Sequence, residues 1–171
     1  MPLSTILQKD AELSQRILIA EHKSGLRNLA AFLAHSGDSW FWIVALVLLW
    51  FLGPRLWQPQ IRLLFIGILV TAVFVLVLKF LIRRPRPEGE WGQIYRRSDP
   101  HSFPSGHAAR ATMLTVIMLV SGYYWIGFAM IVWTSLVAIS RIGLGVHYLS
   151  DIVVGTAIGA VLGTLVVLIF G

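Results

Sequence analysis

The sequence predicts an all-α, multi-pass transmembrane helix bundle of about five spans, preceded by amphipathic helices at the membrane interface. Two observations carry this expectation. Hydrophobic residues make up 57% of the 171 and charged residues only 13%, a balance too apolar for an ordinary soluble domain. The apolar residues also fall in long runs, which is the signature of membrane spans. A third observation agrees with these two. The seven Trp sit mostly near the ends of the runs, where an indole is half wet and half apolar.

Taken in order, residues 3–20 read as an amphipathic helix, with Leu3, Ile6, Leu13, Ile17 and Ala20 at helical spacing. Asp10 falls on that same apolar face and breaks its pattern. Lys9, Asp10, Glu12 and Arg16 interrupt any apolar core of a signal peptide. A second short helix is expected from Leu26 to Ala34, and both helices lie on the membrane surface or pack on the bundle. The spans follow at about 39–52, 60–82, 105–121, 123–140 and 150–170. Gly53-Pro54 and Ser121-Gly122 punctuate them. Gly155, Gly159 and Gly163 lie four apart in the last span, a spacing that lets helices approach closely, more in keeping with intramolecular packing than with a dimer seam. Residues 1–38 thus form an N-terminal amphipathic region. Residues 39–171 form the transmembrane domain, with a polar loop at 83–104.

The formal charge of +6 would suggest nucleic acid in a soluble protein. Here the basic residues border apolar runs, and no aromatic-basic stripe lies on a polar domain. Nucleic acid is excluded in favour of anionic lipid headgroups or a phosphate substrate. The chain contains no cysteine, which removes disulfides, thiolate nucleophiles and Cys-ligated zinc. No obligate protein partner is evident.

Threading the spans alternately brings the polar residues to one side. Lys79 to Arg86, Pro104 to His107, Ser140-Arg141, and His147 with Asp151 all reach the same face. Ionisable residues at membrane boundaries are costly and point to function. His147 precedes Asp151 by four residues, so one helical turn would set them side by side. A carboxylate fixes an imidazole's tautomer and supports its charged form, which prepares it as nucleophile or base. Lys79, Arg86 and Arg141 suit the charge of a phosphoryl group. Pro104-Ser105-Gly106-His107 reads as a helix start, whose free N–H groups favour an anion. Ser105 adds a hydroxyl, and Gly106 permits close backbone approach. His107 is then placed to act as general acid. Arg110 and Arg97 are candidates for a headgroup or pocket role, and Asp38 is a possible acid partner for Arg110. Arg83 and Arg84 read as interfacial, snorkelling residues. The nearby cations would repel a metal ion, so neither metal nor cofactor is expected.

These residues form three ordered motifs: Lys-x6-Arg-Pro (Lys79, Arg86, Pro87), Pro-Ser-Gly-His (104–107) and Ser-Arg-x5-His-x3-Asp (Ser140, Arg141, His147, Asp151). Together they resemble the type 2 phosphatidic acid phosphatase superfamily, over about residues 39–170. The resemblance implies that His147 attacks phosphorus, that Asp151 orients it, and that His107 protonates the leaving alkoxide and then activates water. Lys79, Arg86, Ser105, Gly106 and Arg141 would hold the phosphoryl oxygens, without metal. The expected function is hydrolysis of a lipid phosphomonoester or pyrophosphate, such as phosphatidic acid, phosphatidylglycerol phosphate, undecaprenyl pyrophosphate or lipid A. A phosphotransferase and a non-catalytic lipid-phosphate binder are the alternatives. Of the 14 Lys and Arg, only Arg55 and Arg62 lie toward the opposite face, which by the positive-inside rule favours a cytoplasmic site. Several of the others are accounted for by catalysis, and the resemblance implies a site on the extracytoplasmic face of the cell membrane.

Overall fold

The computed structural model describes residues 3–18, 24–88, 91–93 and 99–171. Arg96, Arg97 and Ala20 lie outside these residues. The elements are α1 (Leu3–Gln15), α2 (Ser24–Ser36), α3 (Ser39–Leu52), a 3-10 turn (Arg55–Trp57), α4 (Gln58–Ile82), α5 (Gly106–Val120), α6 (Tyr124–Gly143) and α7 (Leu149–Phe170). The protein is a multi-pass transmembrane helix bundle. Three stretches are individually long and apolar enough to cross a membrane: Arg55–Ile82, Tyr124–Gly143 and Leu149–Phe170. α3 qualifies only together with α2, to which it is bent by 55°. α5 has 15 residues and is about 22 Å long, short of the hydrocarbon thickness.

Local chemistry sets the ends of these helices. Pro59 stands in the first turn of α4, where a missing N–H leaves nothing unpaired. Arg83 closes the helix in the left-handed region at φ 52°, and its N–H caps the Lys79 carbonyl at 2.9 Å. That reversal sends Arg84 and Arg86 back toward α7. Ser105 caps α5, its hydroxyl accepting from the Ala108 N–H at 3.4 Å. Gly122, at φ 85°, supplies the positive-φ position of the tight turn between α5 and α6.

The bundle is built around α5. Ala108, Ala109, Ala111, Met113, Leu114 and Ile117 are all at most 1% exposed. α7, α6 and α4 enclose them. The outer faces of the enclosing helices carry exposed large apolar residues such as Leu69, Leu81, Val132 and Leu168, as expected where the surrounding solvent is lipid.

The glycine series on α7 makes the closest packing possible. A Cβ added at Gly159 would lie 2.1 Å from the Ala109 carbonyl oxygen, and one at Gly155 would lie 2.6 Å from that of Ser105. The small-residue spacing therefore serves contact within the chain. Gly159→Leu is expected to destabilise the protein by about 3 kcal/mol. The comparison is thermal unfolding in detergent against Gly25→Leu, where an added Cβ meets nothing within 4 Å. Equal midpoints for the two variants would rule out this packing role.

Candidate active site

The three motifs meet at one end of the bundle and are wired to one another through the backbone. The Ser105 N–H donates to the Asp151 carbonyl at 3.0 Å. Arg86 Nη1 donates to the Val146 carbonyl at 2.8 Å. The Ser102 N–H donates to the Arg84 carbonyl at 2.8 Å. The segments after α4, before α5 and before α7 thus hold each other in register.

His147 and Asp151 do pair, but not through a helical turn. His147 lies in the connection before α7. Asp151 stands in the first turn of α7, where its Oδ2 accepts the Tyr148 N–H at 2.9 Å. The same oxygen lies 3.4 Å from His147 Nδ1. This assigns the proton to Nδ1 and leaves the Nε2 lone pair available. Arg86 Nη1 approaches Nε2 at 3.4 Å. Burial first, then the positive charges of Arg141, Arg86 and Lys79, hold the His147 imidazole well below its ordinary range. The backbone hydrogen bond with Ser102 opposes them. A neutral imidazole can serve as a nucleophile through the Nε2 that Arg86 approaches.

Arg86, Arg141, His147, Asp151 and Ser105 are each at most 2% exposed. The charge of Arg141 acts on both His147 and His107, which places it near both. Lys79 and Arg86 share one partner. Lys79 Nζ pairs with the Asp99 carboxylate, which Arg86 Nη2 also reaches at 2.8 Å. Arg86 Nε further holds the Asp99 carbonyl at 2.7 Å.

His107 stands on the first turn of α5, with Nε2 2.6 Å from Asp38 Oδ1. His35 Nδ1 lies 3.1 Å from the other Asp38 oxygen. Asp38 thereby takes one ring nitrogen of His107 and leaves the second for chemistry. Arg110 instead donates to the Gly37 carbonyl. His107, Gly106, Lys79, Asp99 and Arg110 line a cavity of about 260 Å³. Its outer rim is formed by Leu76 and Phe80, both more than half exposed on the lipid-facing side of α4. A Cβ on Gly106 would meet only Val75, at an ordinary 3.5 Å, so protein packing alone does not require the glycine. His147 lines a second, more polar cavity of about 800 Å³ beneath α1.

A match to the PAP2 superfamily covers residues 60–171, and all three motifs fall within it. The chain belongs to the PAP2 superfamily. This PAP2 chain shares the fold of a transmembrane PAP2-type phosphatidylglycerolphosphate phosphatase from Bacillus subtilis (TM-score 0.77, 23% identity, 95% of this chain and 84% of that one). It also shares the fold of Aquifex aeolicus LpxE (TM-score 0.73, 24% identity, 91% and 93%). In sequence it is 35% identical to the decaprenylphosphoryl-5-phosphoribose phosphatase of Mycobacterium tuberculosis, over 58% of this chain and 55% of that protein. It is 28% identical to the undecaprenyl-diphosphatase of Sulfolobus acidocaldarius, over 79% and 66%. The chain thus spans between about half and two thirds of the length of these relatives.

Several residues at the site were not found from sequence. Arg84 is not a snorkelling interfacial residue. Its side chain is 14% exposed and donates to Asp151 Oδ1 at 2.8 Å. Asp10, the break in the α1 apolar face, pairs with Arg84 at 2.8 Å. That break was itself the available signal, because an acid on a buried face needs a partner. Arg83 is exposed, as expected of an interfacial residue. Asp99 and Ser102 carry no periodic signal and come into place only through the fold, whereas Asp38, expected beside Arg110, bonds His107 with its charge acting on Arg110.

Proposed function

We propose that this protein is a metal-independent lipid phosphate phosphatase acting through a phosphohistidine at His147. The observation that carries the reading is the buried His147–Asp151 pair at 3.4 Å, with Nε2 facing Arg86 and the charges of Lys79 and Arg141 close by. That arrangement suits a phosphoryl group and repels a metal ion. The lipid-side rim of the His107 cavity suits a substrate that arrives sideways from the bilayer. The names of the relatives, a decaprenylphosphoryl-5-phosphoribose phosphatase and an undecaprenyl-diphosphatase, support the same class.

In the proposed sequence, Lys79, Arg86, Arg141, Ser105 and the Gly106 backbone hold the phosphoryl oxygens. His147 Nε2 attacks phosphorus, the bond from phosphorus to the leaving oxygen breaks, and His107 gives that oxygen its proton. Asp151 supports the positive charge that His147 gains. Water then loses a proton to His107 and attacks phosphorus. The P–N bond breaks, and inorganic phosphate leaves with His147 restored.

Asp99 stands on the two cations that this scheme gives to phosphate. Arg86 touches both His147 and Asp99, and Asp99 lines the cavity of His107. A substrate phosphoryl group must take this carboxylate's place. Asp99→Ala is therefore expected to tighten orthovanadate inhibition by a few-fold, about 1 kcal/mol. Unchanged or weaker inhibition would show that Asp99 and phosphate do not compete.

The central test is phosphate release by the detergent-purified protein in excess EDTA. The substrates are phosphatidic acid, phosphatidylglycerol phosphate, undecaprenyl pyrophosphate and lipid A. Release that persists in EDTA is expected. Release that stops in EDTA overturns the metal-free mechanism, and no release from any of the four overturns the lipid phosphatase reading. The site is assigned to the extracytoplasmic face of the cell membrane. Because the chain has no cysteine, Gln93→Cys at an exposed position gives a single labelling site. A membrane-impermeant maleimide should label it in intact cells. Labelling only after permeabilisation would reverse the orientation.

A further inference from the structure

Arg84 belongs to none of the three motifs, yet both of its terminal nitrogens are hydrogen-bonded beside the site. Nη1 donates to Asp151 Oδ1 at 2.8 Å and to Ser150 Oγ at 2.7 Å. Nη2 donates to Asp10 Oδ2 at 2.8 Å. The guanidinium lies 3.9 Å over the Tyr148 ring. Asp10 Oδ1 accepts the Ser150 N–H at 3.0 Å, and the Ser14 hydroxyl accepts the Leu149 N–H at 2.9 Å. The first N–H groups of a helix have no partner within it. In α7 two of them are capped by side chains from α1, some 135 and 140 residues away in sequence. The three charged side chains are 14%, 10% and 0% exposed, so the pairing is largely withdrawn from solvent.

The two oxygens of Asp151 have separate duties. Oδ2 takes the Tyr148 N–H and faces His147 Nδ1. Oδ1 is held by Arg84. Rotation of the carboxylate about its own axis sets where Oδ2 points, and Arg84 restrains it at Oδ1, alongside a side-chain hydrogen bond from Ser102. Asp10 in turn fixes the guanidinium fork, which a lysine, as a single point of charge, does not span.

We propose that Arg84 and Asp10 are positioning residues for His147, acting through Asp151, so that α1 is a working part of the active site. The inference rests on the phosphatase reading above for its kinetic consequence only. With Arg84 removed, the Asp151 carboxylate turns and its charge is less compensated. The other groups facing His147 stay in place: Arg141 from α6, Lys79 from α4, and Arg86 and Ser102 from the connecting loop.

The test uses the full chain in detergent, with Arg84→Gln, Arg84→Lys and Asp10→Asn. Two readouts are taken, steady-state kinetics and the 15N NMR titration of His147, assigned by its loss in His147→Gln. Arg84→Gln is expected to lower kcat about a hundredfold and Asp10→Asn about tenfold, with KM within about threefold of wild type. Arg84→Lys should not restore kcat. The His147 titration should move to higher pH in Arg84→Gln. A purely structural role would lower thermal stability yet leave both kcat of the folded fraction and the titration unchanged, and that result overturns the proposal. If Arg84→Gln does not fold, Asp10→Asn and Arg84→Lys decide it by the same criteria. If the wild-type protein releases no phosphate, the phosphatase reading fails and the titration alone decides this one.

Discussion

His147→Ala is expected to reduce phosphate release from every accepted lipid by about ten-thousandfold or more. In the proposed mechanism the substitution removes the atom that bonds to phosphorus. The cations remain, so orthovanadate or inorganic phosphate should still bind. Retained binding with lost turnover separates removal of the nucleophile from collapse of the site. The same histidine makes a pH prediction. Burial and the surrounding cations hold its imidazole below the ordinary range, so the neutral form persists into more acidic solution than a free imidazole allows. Its titration in the wild-type protein should fall below pH 6.5. A midpoint at or above that value would contradict the electrostatic account of the nucleophile.

His107→Ala is expected to cost about a hundredfold to ten-thousandfold with a lipid substrate, and much less with p-nitrophenyl phosphate in the first step. A lipid alkoxide is a poor leaving group and needs a proton, whereas p-nitrophenolate does not. The variant should therefore become phosphorylated by the aryl ester and then stall, because the activation of water also depends on His107. Acid-labile, base-stable label on the chain would identify phosphohistidine. Equal losses in the phosphorylation step for both esters would remove His107 from the role of general acid. Asp38 belongs to this prediction too, since its carboxylate at 2.6 Å from Nε2 fixes the ring.

The convergence of the three motifs was legible in the sequence because each lies at a helix boundary. Lys79 with Arg86, the Pro104–His107 run, and Arg141 with His147 and Asp151 each sit at an element boundary. Alternate threading of apolar runs brings those boundaries to one face. The supporting residues were not legible, for reasons particular to each. Arg84 follows an apolar run directly, where a cation usually marks the membrane surface, and only the reversal at Arg83 turns it inward. Asp10 was visible as a fault in an amphipathic pattern, but its partner lies 74 residues on. Asp38 precedes α3 as an ordinary turn acid. Its contact with His107 depends on the bend between α2 and α3. α5 read as a span like the others because hydropathy does not tell a helix wrapped by helices from one wrapped by lipid.

The rim formed by Leu76 and Phe80 bears on how the protein meets its substrate. A ligand that enters past them travels in the plane of the bilayer, in two dimensions. The concentration that governs turnover is then the mole fraction of the lipid substrate within the membrane or micelle, not its amount per volume of buffer. Adding empty detergent micelles at constant total lipid should slow the reaction, and diluting lipid and detergent together should barely change it. An apparent KM in molar units would accordingly differ from one detergent ratio to the next.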